Sequence, residues 1–567
     1  MGKPLYLIAA LVLAVLLGVR ATTPPAPLGA DSPPQMFAAG RAMADVRVIA
    51  ARPHIAASAE NAAVRAHLAV RMQAMDMAVR EAAFTPRAVS AARLTMWSGK
   101  TDFAPTFTNV IGVLPGKDRS LPAVLLMAHH DTVGGSPGAA DDTAGVAALL
   151  ETVRAVRASG QADRDLVVLL TDGEETGLDG ARQFFTADPL RKAVGAVINV
   201  EARGGGGRTT LFETSADNGA AIARAARSIA RPGGSSLAVF IYKVLPNDTD
   251  LTEALDGPYT GYNFAFIGRP QLYHSPKATP DALDQGALQD MGAQVLDLTR
   301  DLLRAEPLPG KAADVVFFDA FGFALVVYPA WTGWVMLALA AGLGYAMLRQ
   351  PEWRASAGGA GRMLGLMALA GAVLIAINWL SLAPGEANYY DRLAAIPRLE
   401  AMALAGGLAA FLMAMGAWKP SPAGMAGAAL PLLALGAAAQ ALAPTAAYVV
   451  VLPLVLAAGA MAAVHHARRS AGGKVARGLA VIAAALVGGY MIALGHQVMQ
   501  GVGPGLPVAA VLPLAVAVIA VLPLWPGLSR QTARVAAALL LLLGAGVALN
   551  VQLDLLADTV PVYSADK

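Results

Sequence analysis

The sequence changes character near residue 320, and this change limits what the chain can fold into. Most acidic and basic residues precede that point, whereas Ala, Leu, Gly and Val dominate the remainder. Over the whole chain 56% of the residues are apolar and only 15% are charged, a balance too apolar for a purely soluble protein. We therefore expect two parts, of which the second lies in lipid.

Apolar runs of spanning length fill the second part. A helix needs about 20 apolar residues to cross the hydrocarbon core of a bilayer. Eight such runs occupy roughly residues 327–348, 363–383, 398–418, 422–442, 445–466, 477–496, 506–525 and 532–552. A shorter stretch at residues 4–19 follows Lys3 and is either a signal peptide or an uncleaved anchor. With that stretch as an anchor, the sequence predicts nine spans.

The charge of the loops predicts an orientation. If the first segment enters from the cytoplasm, the basic loops all fall inside, as the positive-inside rule requires. These loops carry Arg349, Arg354, Arg362, Lys419, Arg468, Arg469, Lys474, Arg477, Arg530 and Arg534. The outside loops are nearly uncharged or mixed, as in PGEANYYDR, and residues 20–325 are also outside. Heavy use of Ala, Gly and Arg is typical of high-GC bacteria, so we expect an integral protein of a bacterial inner membrane with this region in the periplasm.

Composition and charge argue against several classes of protein. The formal charge is only +3 and the basic residues are interspersed with acidic ones, so we expect no nucleic-acid partner. There is no Cys, so any metal site must use His and carboxylates. No charged residue falls near the middle of a predicted span, which argues against a proton- or ion-coupled carrier. The oligomeric state stays open.

The sequence before residue 320 predicts an α/β fold. Short β-rich runs each lead into a polar cluster: AVLLMA before His129, DLVVLLT before Asp172, AVINV before Glu201 and FAFIG before His274. Helical patterns such as TAGVAALLETVRAV lie between them, so we predict a sheet covered by helices on both faces. Ligands of such sheets bind beyond the carboxyl ends of the strands, where the polar clusters fall.

Seven residues of these clusters are candidates for metal chemistry. They are His129 and Asp131 in MAHHDT, Asp141 in GAADDTAG, Glu174 and Glu175 in DGEETG, Glu201 in INVEARG, and His274 in LYHSPKATPD. A single HxD or EE pair is more often a solvated surface or a salt bridge. Together they provide the imidazole and carboxylate ligands that Zn²⁺ prefers, and the full set predicts one shared metal site.

This set, in this order, resembles peptidase family M28, a family of zinc exopeptidases, and more closely its membrane-bound branch. The resemblance covers about residues 40–305, and the nine-span layout extends it to the whole chain. It implies a zinc-exopeptidase-like mixed sheet sandwiched by helices, followed by an all-α multi-span transmembrane domain. The expected divisions are an anchor or signal anchor at 1–21, a Pro-rich linker at 22–40, a metallopeptidase domain at 41–310 and a transmembrane domain of about eight helices at 311–567.

The resemblance also implies two Zn²⁺ per chain and a set of ligands for each ion. It assigns His129 and Glu175 to one zinc, and Glu201 and His274 to the other. Asp141 would bridge the two ions. The peptide bond between the bridging aspartate and the next residue, here Asp141 and Asp142, is often cis in this family.

Two further residues would complete the reaction. Asp131 would accept the imidazole proton of His129 and fix its orientation. Glu174 would be the general base that deprotonates the attacking water and returns the proton to the leaving amine. We therefore predict an aminopeptidase whose partners are a peptide substrate and the lipid bilayer.

Some positions depart from the family pattern, and other functions stay open. Ala278 stands where the family commonly has an acidic residue, although Asp281 and Asp284 are near. Glu201 replaces Asp, as in carboxypeptidase-like members, so the direction of cleavage is less secure than hydrolysis. The alternatives are a glutaminyl-cyclase-like acyltransferase with one zinc, a non-catalytic receptor or scaffold, and a carrier built from the C-terminal spans.

Overall fold

Two units make up the part of the chain that the computed structural model describes, which is residues 3–99, 104–347, 352–382, 392–467 and 473–553. One unit is Thr23–Val327, and the other combines the first helix with the helices that follow residue 328. Arg349, Arg468, Arg469 and most of the predicted outside loop PGEANYYDR lie outside the described residues.

A seven-stranded mixed sheet forms the centre of the Thr23–Val327 unit. Its strands are β1 Ala78–Phe84, β2 Phe107–Leu114, β3 Ala123–His129, β4 Leu166–Thr171, β5 Val194–Ala202, β6 Thr210–Thr214 and β7 Thr260–Phe266. Their order is β1-β2-β4-β3-β5-β7-β6. The central strands β4, β3, β5 and β7 are parallel, and β1, β2 and β6 run antiparallel to their neighbours. A separate two-stranded sheet follows, with β8 at Val315–Asp319 and β9 at Leu325–Pro329.

Helices cover both faces of this sheet, which confirms the predicted fold class. Successive residues of β3 point to opposite faces, so Val124 and Leu126 enter one core while Leu125 and Met127 enter another with Phe184. All of β3 is buried, as expected of a parallel strand covered on both sides. The helices are Ala39–Ile49, Ala59–Gln73, Ala88–Ser98, Thr143–Arg157, Glu174–Gly177, Asp179–Ala187, Gly219–Ser228, Ser236–Val244, Thr252–Leu255 and Gln285–Leu302.

In the described ranges, eight helices are long and apolar enough to cross a membrane. They are Lys3–Thr22, Trp353–Leu380, Ile396–Met415, Pro422–Leu442, Tyr448–Ala467, Gly473–Val502, Pro507–Leu524 and Arg530–Gln552. The predicted span at 327–348 contains a shorter helix, Thr332–Ala346. After residue 350, four helices begin earlier than the apolar pattern predicts, at Trp353, Ile396, Gly473 and Arg530. Six basic residues that were predicted in loops therefore lie on helices: Arg354, Arg362, Lys474, Arg477, Arg530 and Arg534. Long basic side chains are tolerated there because the stem stays in apolar surroundings while the charge reaches the interface.

Polar side chains join the membrane helices near their ends. Asn378 accepts a hydrogen bond from Arg392 at 3.0 Å, and Gln440 donates to the carbonyl of Ala330 at 2.8 Å. His496 Nδ1 is 3.0 Å from the Glu400 carboxylate. Asn378 and Gln440 thus link segments of the bundle by hydrogen bonds.

The first helix packs closely on the helix Gly473–Val502. A Cβ atom added at Gly18 would lie 2.7 Å from the side chain of Ile492, and one added at Gly488 would lie 3.1 Å from Ala14. Small residues allow membrane helices to approach in this way. The N-terminal helix is therefore a packed member of the helical unit.

Candidate metal centre

The sheet brings all seven candidate residues to the carboxyl ends of its parallel strands. His129 is the last residue of β3, and Glu201 is the second to last of β5. Glu174 and Glu175 open the short helix just beyond β4, while Asp141 precedes the helix Thr143–Arg157 and His274 follows β7. These ends share one edge of the sheet, which explains how residues far apart in sequence meet.

Five of the residues form two ligand groups that share Asp141. His129, Asp141 and Glu201 place one ligand atom each within 4.8 Å of the others, and so do Asp141, Glu175 and His274. One Asp141 oxygen lies 3.1 Å from His129 Nε2 and the other lies 3.2 Å from His274 Nε2. A carboxylate placed in this way can bridge two cations.

The pairing of the other ligands differs from the sequence expectation, which was wrong on this point. His129 groups with Glu201, at 3.8 Å, and His274 groups with Glu175, at 3.2 Å. β3 has both β4 and β5 as neighbours, so strand order alone allows either pairing. Glu201 lies within β5 itself, whereas Glu175 lies on the short helix beyond β4, where its carboxylate reaches His274. Ligand identities and order along the chain do not contain this information.

The donor set fits a pair of divalent cations. The five groups are two imidazoles and three carboxylates, all buried, and the Glu201 Oε1 atom is buried without a hydrogen-bond partner. Burial and the neighbouring carboxylates raise the pKa of Glu201 well above its ordinary value. Such closely spaced carboxylates ionise together when cations offset their charge. Occupancy by metal remains a prediction.

Asp131 contacts both the His129 imidazole, as the resemblance implies, and the turn that carries Glu174 and Glu175. His129 Nδ1 lies 2.9 Å from the backbone carbonyl of Asp131 and 3.6 Å from its carboxylate. The carboxylate instead accepts the backbone N–H groups of Glu174, at 3.1 Å, and Glu175, at 3.3 Å. One residue thus fixes both the imidazole and the turn that carries the two glutamates.

Glu174 lies beside the ligand groups and belongs to neither. Its carboxylate is 4.0 Å from His129 Nε2. Burial, followed by the charges of Glu175, Asp250 and Asp141, raises the pKa of Glu174 well above its usual range. A raised pKa suits a group that must take up and release a proton near neutral pH.

Other polar residues around the centre have structural partners. His130 Nδ1 accepts from the side-chain amide of Asn61 and His130 Nε2 donates to the Thr108 carbonyl, both at 3.1 Å, so both ring nitrogens already have partners within the fold. Asp250 accepts from the Thr171 hydroxyl. The Asp141–Asp142 peptide is cis, as the resemblance implied.

The position that departs from the family pattern is supported through its backbone. The carbonyl of Ala278 accepts the N–H of Ala139 at 3.0 Å, and this bond ties the loop of His274 to the loop of Asp141. The neighbouring Asp284 accepts from the N–H of Gly286 and caps the helix Gln285–Leu302. Local support is therefore present without an acidic side chain at this position.

Sequence reasoning missed two aromatic contacts at the centre. The ring of Tyr273 stacks on that of His274 with centroids 3.7 Å apart, and the Arg203 guanidinium lies 5.7 Å from the Tyr273 centroid. Both residues directly adjoin or closely follow a candidate ligand in sequence, which is the only signal that could have singled them out.

Comparison with known proteins identifies the domain that holds this site. Residues 109–299 match the model of peptidase family M28, so this part of the chain is an M28 peptidase domain. The relatives belong to the expected membrane-bound branch. Endoplasmic reticulum metallopeptidase 1 of Mus musculus is 31% identical over 264 residues, which cover 44% of this chain and 29% of that protein. The vacuolar membrane protease of Eremothecium gossypii is 33% identical over 226 residues, covering 39% and 22%.

The chain spans less than a third of the length of either relative. Their names refer to endoplasmic reticulum and vacuolar membranes, which agrees with a membrane protein but does not support the expected bacterial inner membrane. Among solved structures, the zinc aminopeptidase BSAP from Bacillus subtilis aligns with 49% of this chain and 99% of its own, with TM-score 0.38 and 15% identity. A glutaminyl cyclase from Fimbriiglobus ruber aligns with TM-score 0.37 and 16% identity, over 49% and 98% of the two chains.

Proposed function

We propose that the chain is a membrane-bound dizinc aminopeptidase that acts on peptides outside the cytoplasm. The observation that carries this proposal is the pair of ligand groups joined by Asp141, with Glu174 beside them. The proposal keeps the predicted division into an N-terminal anchor at 1–21, a linker at 22–40, a metallopeptidase domain at 41–310 and a membrane domain at 311–567. The loop charges support an extracytoplasmic peptidase domain.

The residues of the chain have distinct roles in this proposal. His129 and Glu201 would hold one zinc and Glu175 and His274 the other, with Asp141 shared between them. Bound zinc polarises the scissile carbonyl and lowers the pKa of water. Glu174 accepts the proton of the attacking water and delivers it to the leaving amine. Asp131 keeps Glu174 in place through the backbone of the turn.

The charge of the site supports cleavage from the amino end. Two divalent cations would offset the three ligand carboxylates, and Glu174, Asp250 and Glu213 add three more carboxylates that have no arginine or lysine partner in the described part of the chain. Such surroundings attract an ammonium group and repel a terminal carboxylate. We therefore assign the free N-terminus of the substrate to the metal centre.

The test compares Glu174→Gln with the unmodified full-length protein in detergent. This nearly isosteric change removes the proton acceptor, so zinc content stays at two per chain while turnover falls by at least about 100-fold. Glu60→Gln, on a different helix, is the control and keeps full activity. Full hydrolysis by the Glu174→Gln protein would overturn the assignment.

Substrate ends distinguish the remaining possibilities. An aminopeptidase shortens a peptide with a free N-terminus and leaves its N-acetylated form intact, as mass spectrometry of the products would show. Loss of residues from the other end would indicate a carboxypeptidase. One zinc per chain together with cyclisation of an N-terminal glutamine would indicate the acyltransferase alternative.

A further inference from the structure

A row of polar side chains crosses three neighbouring strands beside the metal centre. Asn199 of β5 donates to Asn263 of β7 at 3.0 Å, and Asn263 donates to the carboxylate of Glu213 of β6 at 2.8 Å. Asn199 lies two residues before Glu201, so both project from the same face of the sheet. The row therefore leads from a candidate metal ligand to Glu213.

An irregularity in the pairing of β6 with β7 orients the side chain of Glu213. The pairing of β6 with β7 shifts between Leu211 and Glu213, so that Phe212 has no partner and Glu213 lies opposite Asn263. An extra residue of this kind re-aims the side chains that follow it, and such bulges are common next to active sites. The amide of Asn263 also donates to the Thr249 hydroxyl, at 2.8 Å, and so holds Glu213 and the loop of Thr249 together.

Glu213 is a buried carboxylate without a cation. Five other buried carboxylates of this unit outside the metal centre pair with arginine: Asp45 with Arg71, Glu151 with Arg41, Asp179 with Arg87, Asp188 with Arg80, and Asp290 with Arg208. Within the described residues Glu213 has no such partner, and its polar contacts are amide and hydroxyl groups. Burial, together with the charge of Asp248, raises the pKa of Glu213 to about 7. A carboxylate left in this state gains free energy when a cation joins it.

Glu213 differs from two other carboxylates that lack a cation. Asp172 and Asp250 are fully enclosed, at 0% exposure, and accept from the Thr108 N–H and the Thr171 hydroxyl. Glu213 retains 9% exposure. Of the three, only Glu213 retains any exposure to solvent.

The hydroxyl of Tyr242 lies in the same place, beside the hydroxyl of Thr249. Its oxygen is buried and makes no hydrogen bond of ordinary geometry with the described residues. The ring is fixed by Phe212, with centroids 4.7 Å apart and an edge-to-face arrangement. Burial and the charges of Glu213 and Glu201 raise the pKa of Tyr242 above its ordinary value, so the phenol stays protonated. A buried hydroxyl without a well-formed hydrogen bond is costly, and a ligand placed between Glu213 and Tyr242 would remove that cost.

The distance from the metal centre fits one substrate residue. Strands lie about 4.8 Å apart, so β6 is about 10 Å from β5 across β7. A peptide whose amino group lies near Glu201 must bridge this gap with its first side chain. The long side chains of lysine and arginine can do so.

We propose that Glu213 and Tyr242 bind the side chain of the first substrate residue and select lysine or arginine there. This inference rests on the proposed aminopeptidase function. A cationic group neutralises Glu213 and donates to the oxygen of Tyr242. An apolar side chain would leave Glu213 buried and unpaired, and an acidic one would be repelled.

The test uses peptides that differ only in the first residue, lysine against norleucine, which lacks only the ammonium group. The unmodified zinc-loaded protein should favour lysine by at least about tenfold in kcat/KM, because a buried charge pair discriminates strongly against an uncharged analogue. Glu213→Gln should remove most of this ratio, and Tyr242→Phe should reduce it. Glu253→Gln changes a nearby carboxylate that pairs with Arg182 and should leave the ratio unchanged.

A binding measurement separates this inference from the proposed function. Lysinamide and norleucinamide are titrated calorimetrically into the zinc-loaded Glu174→Gln protein, whose turnover is blocked. Lysinamide should bind at least about tenfold more tightly. Equal binding, or equal kcat/KM for the two peptides in the unmodified protein, would overturn the inference while leaving a peptidase. Absence of hydrolysis of every peptide would overturn the proposed function instead, and the binding ratio would still decide the role of Glu213.

Discussion

Replacement of Asp131 tests whether one carboxylate positions both glutamates. Asp131→Ala removes the acceptor of the Glu174 and Glu175 N–H groups, which lie 3.1 and 3.3 Å from it. Each N–H group left without a partner costs about 1–3 kcal/mol of free energy, so the two together should destabilise this turn by about 2–6 kcal/mol. Asp131→Asn keeps one neutral acceptor and should lose about half as much. Since Glu175 is a candidate ligand, zinc affinity should fall about 10- to 100-fold in the alanine variant.

Chelator competition on the full chain in detergent measures this affinity, and peptide turnover is followed in parallel. The expected order of affinity is the unmodified protein, then Asp131→Asn, then Asp131→Ala. Asp118→Ala, which removes an exposed loop carboxylate bound to Ser120, should match the unmodified protein. An Asp131→Ala protein with unchanged zinc affinity and turnover would refute the positioning role.

Two further predictions concern packing and pH. In Gly292→Ala the new Cβ would lie 2.0 Å from the Phe37 ring, so the free energy of unfolding should fall by about 1–3 kcal/mol; Gly310→Ala, with open space around it, should change little in the same thermal melts. His130 is neutral because burial lowers its pKa to about 4, below about 6.5 in an unfolded chain. The unfolded chain therefore binds more protons between these values, and about 3 kcal/mol of stability that is present above pH 6.5 is lost as the pH falls toward 4. His130→Asn should flatten this part of the pH profile of unfolding, and an unchanged slope would contradict the assignment.

The central sheet and the ligand set could be predicted because both leave local signals. The strands β3, β4 and β5 are continuous apolar runs that end in His129, Asp172 and Glu201, a pattern that parallel packing imposes on both faces. The sharing of ligands could not be predicted, since the contact of His129 with Glu201 depends on where the strand ends and the short helix beyond β4 lie in the folded domain. That arrangement is set by tertiary packing and not by the sequence near either residue.

Contacts made through the backbone and between distant loops could not be predicted from the sequence either. The sequence suggested that Asp131 serves His129, but its carboxylate binds amide groups 43 and 44 residues away. Glu213 and Tyr242 attracted no notice because a glutamate in a strand and a tyrosine in an apolar helix are ordinary. They stand out only because Glu213 has no cationic partner and the Tyr242 hydroxyl has no hydrogen bond of ordinary geometry among the described residues. No sequence pattern reveals this. In the membrane unit, one helix start was misplaced because Arg362 ends an apolar run without ending the helix, which begins at Trp353.

The attachment of the Thr23–Val327 unit at both ends has a consequence for its release. The chain enters this unit from the packed first helix and leaves it a few residues before Thr332–Ala346. With the helical unit in a bilayer, as the proposed function requires, cleavage of either connection alone would leave the Thr23–Val327 unit held by the other, so release into solution would require two separate cuts. Under that proposal the unit would meet only substrates that diffuse to the membrane surface, even after one connection has been cut.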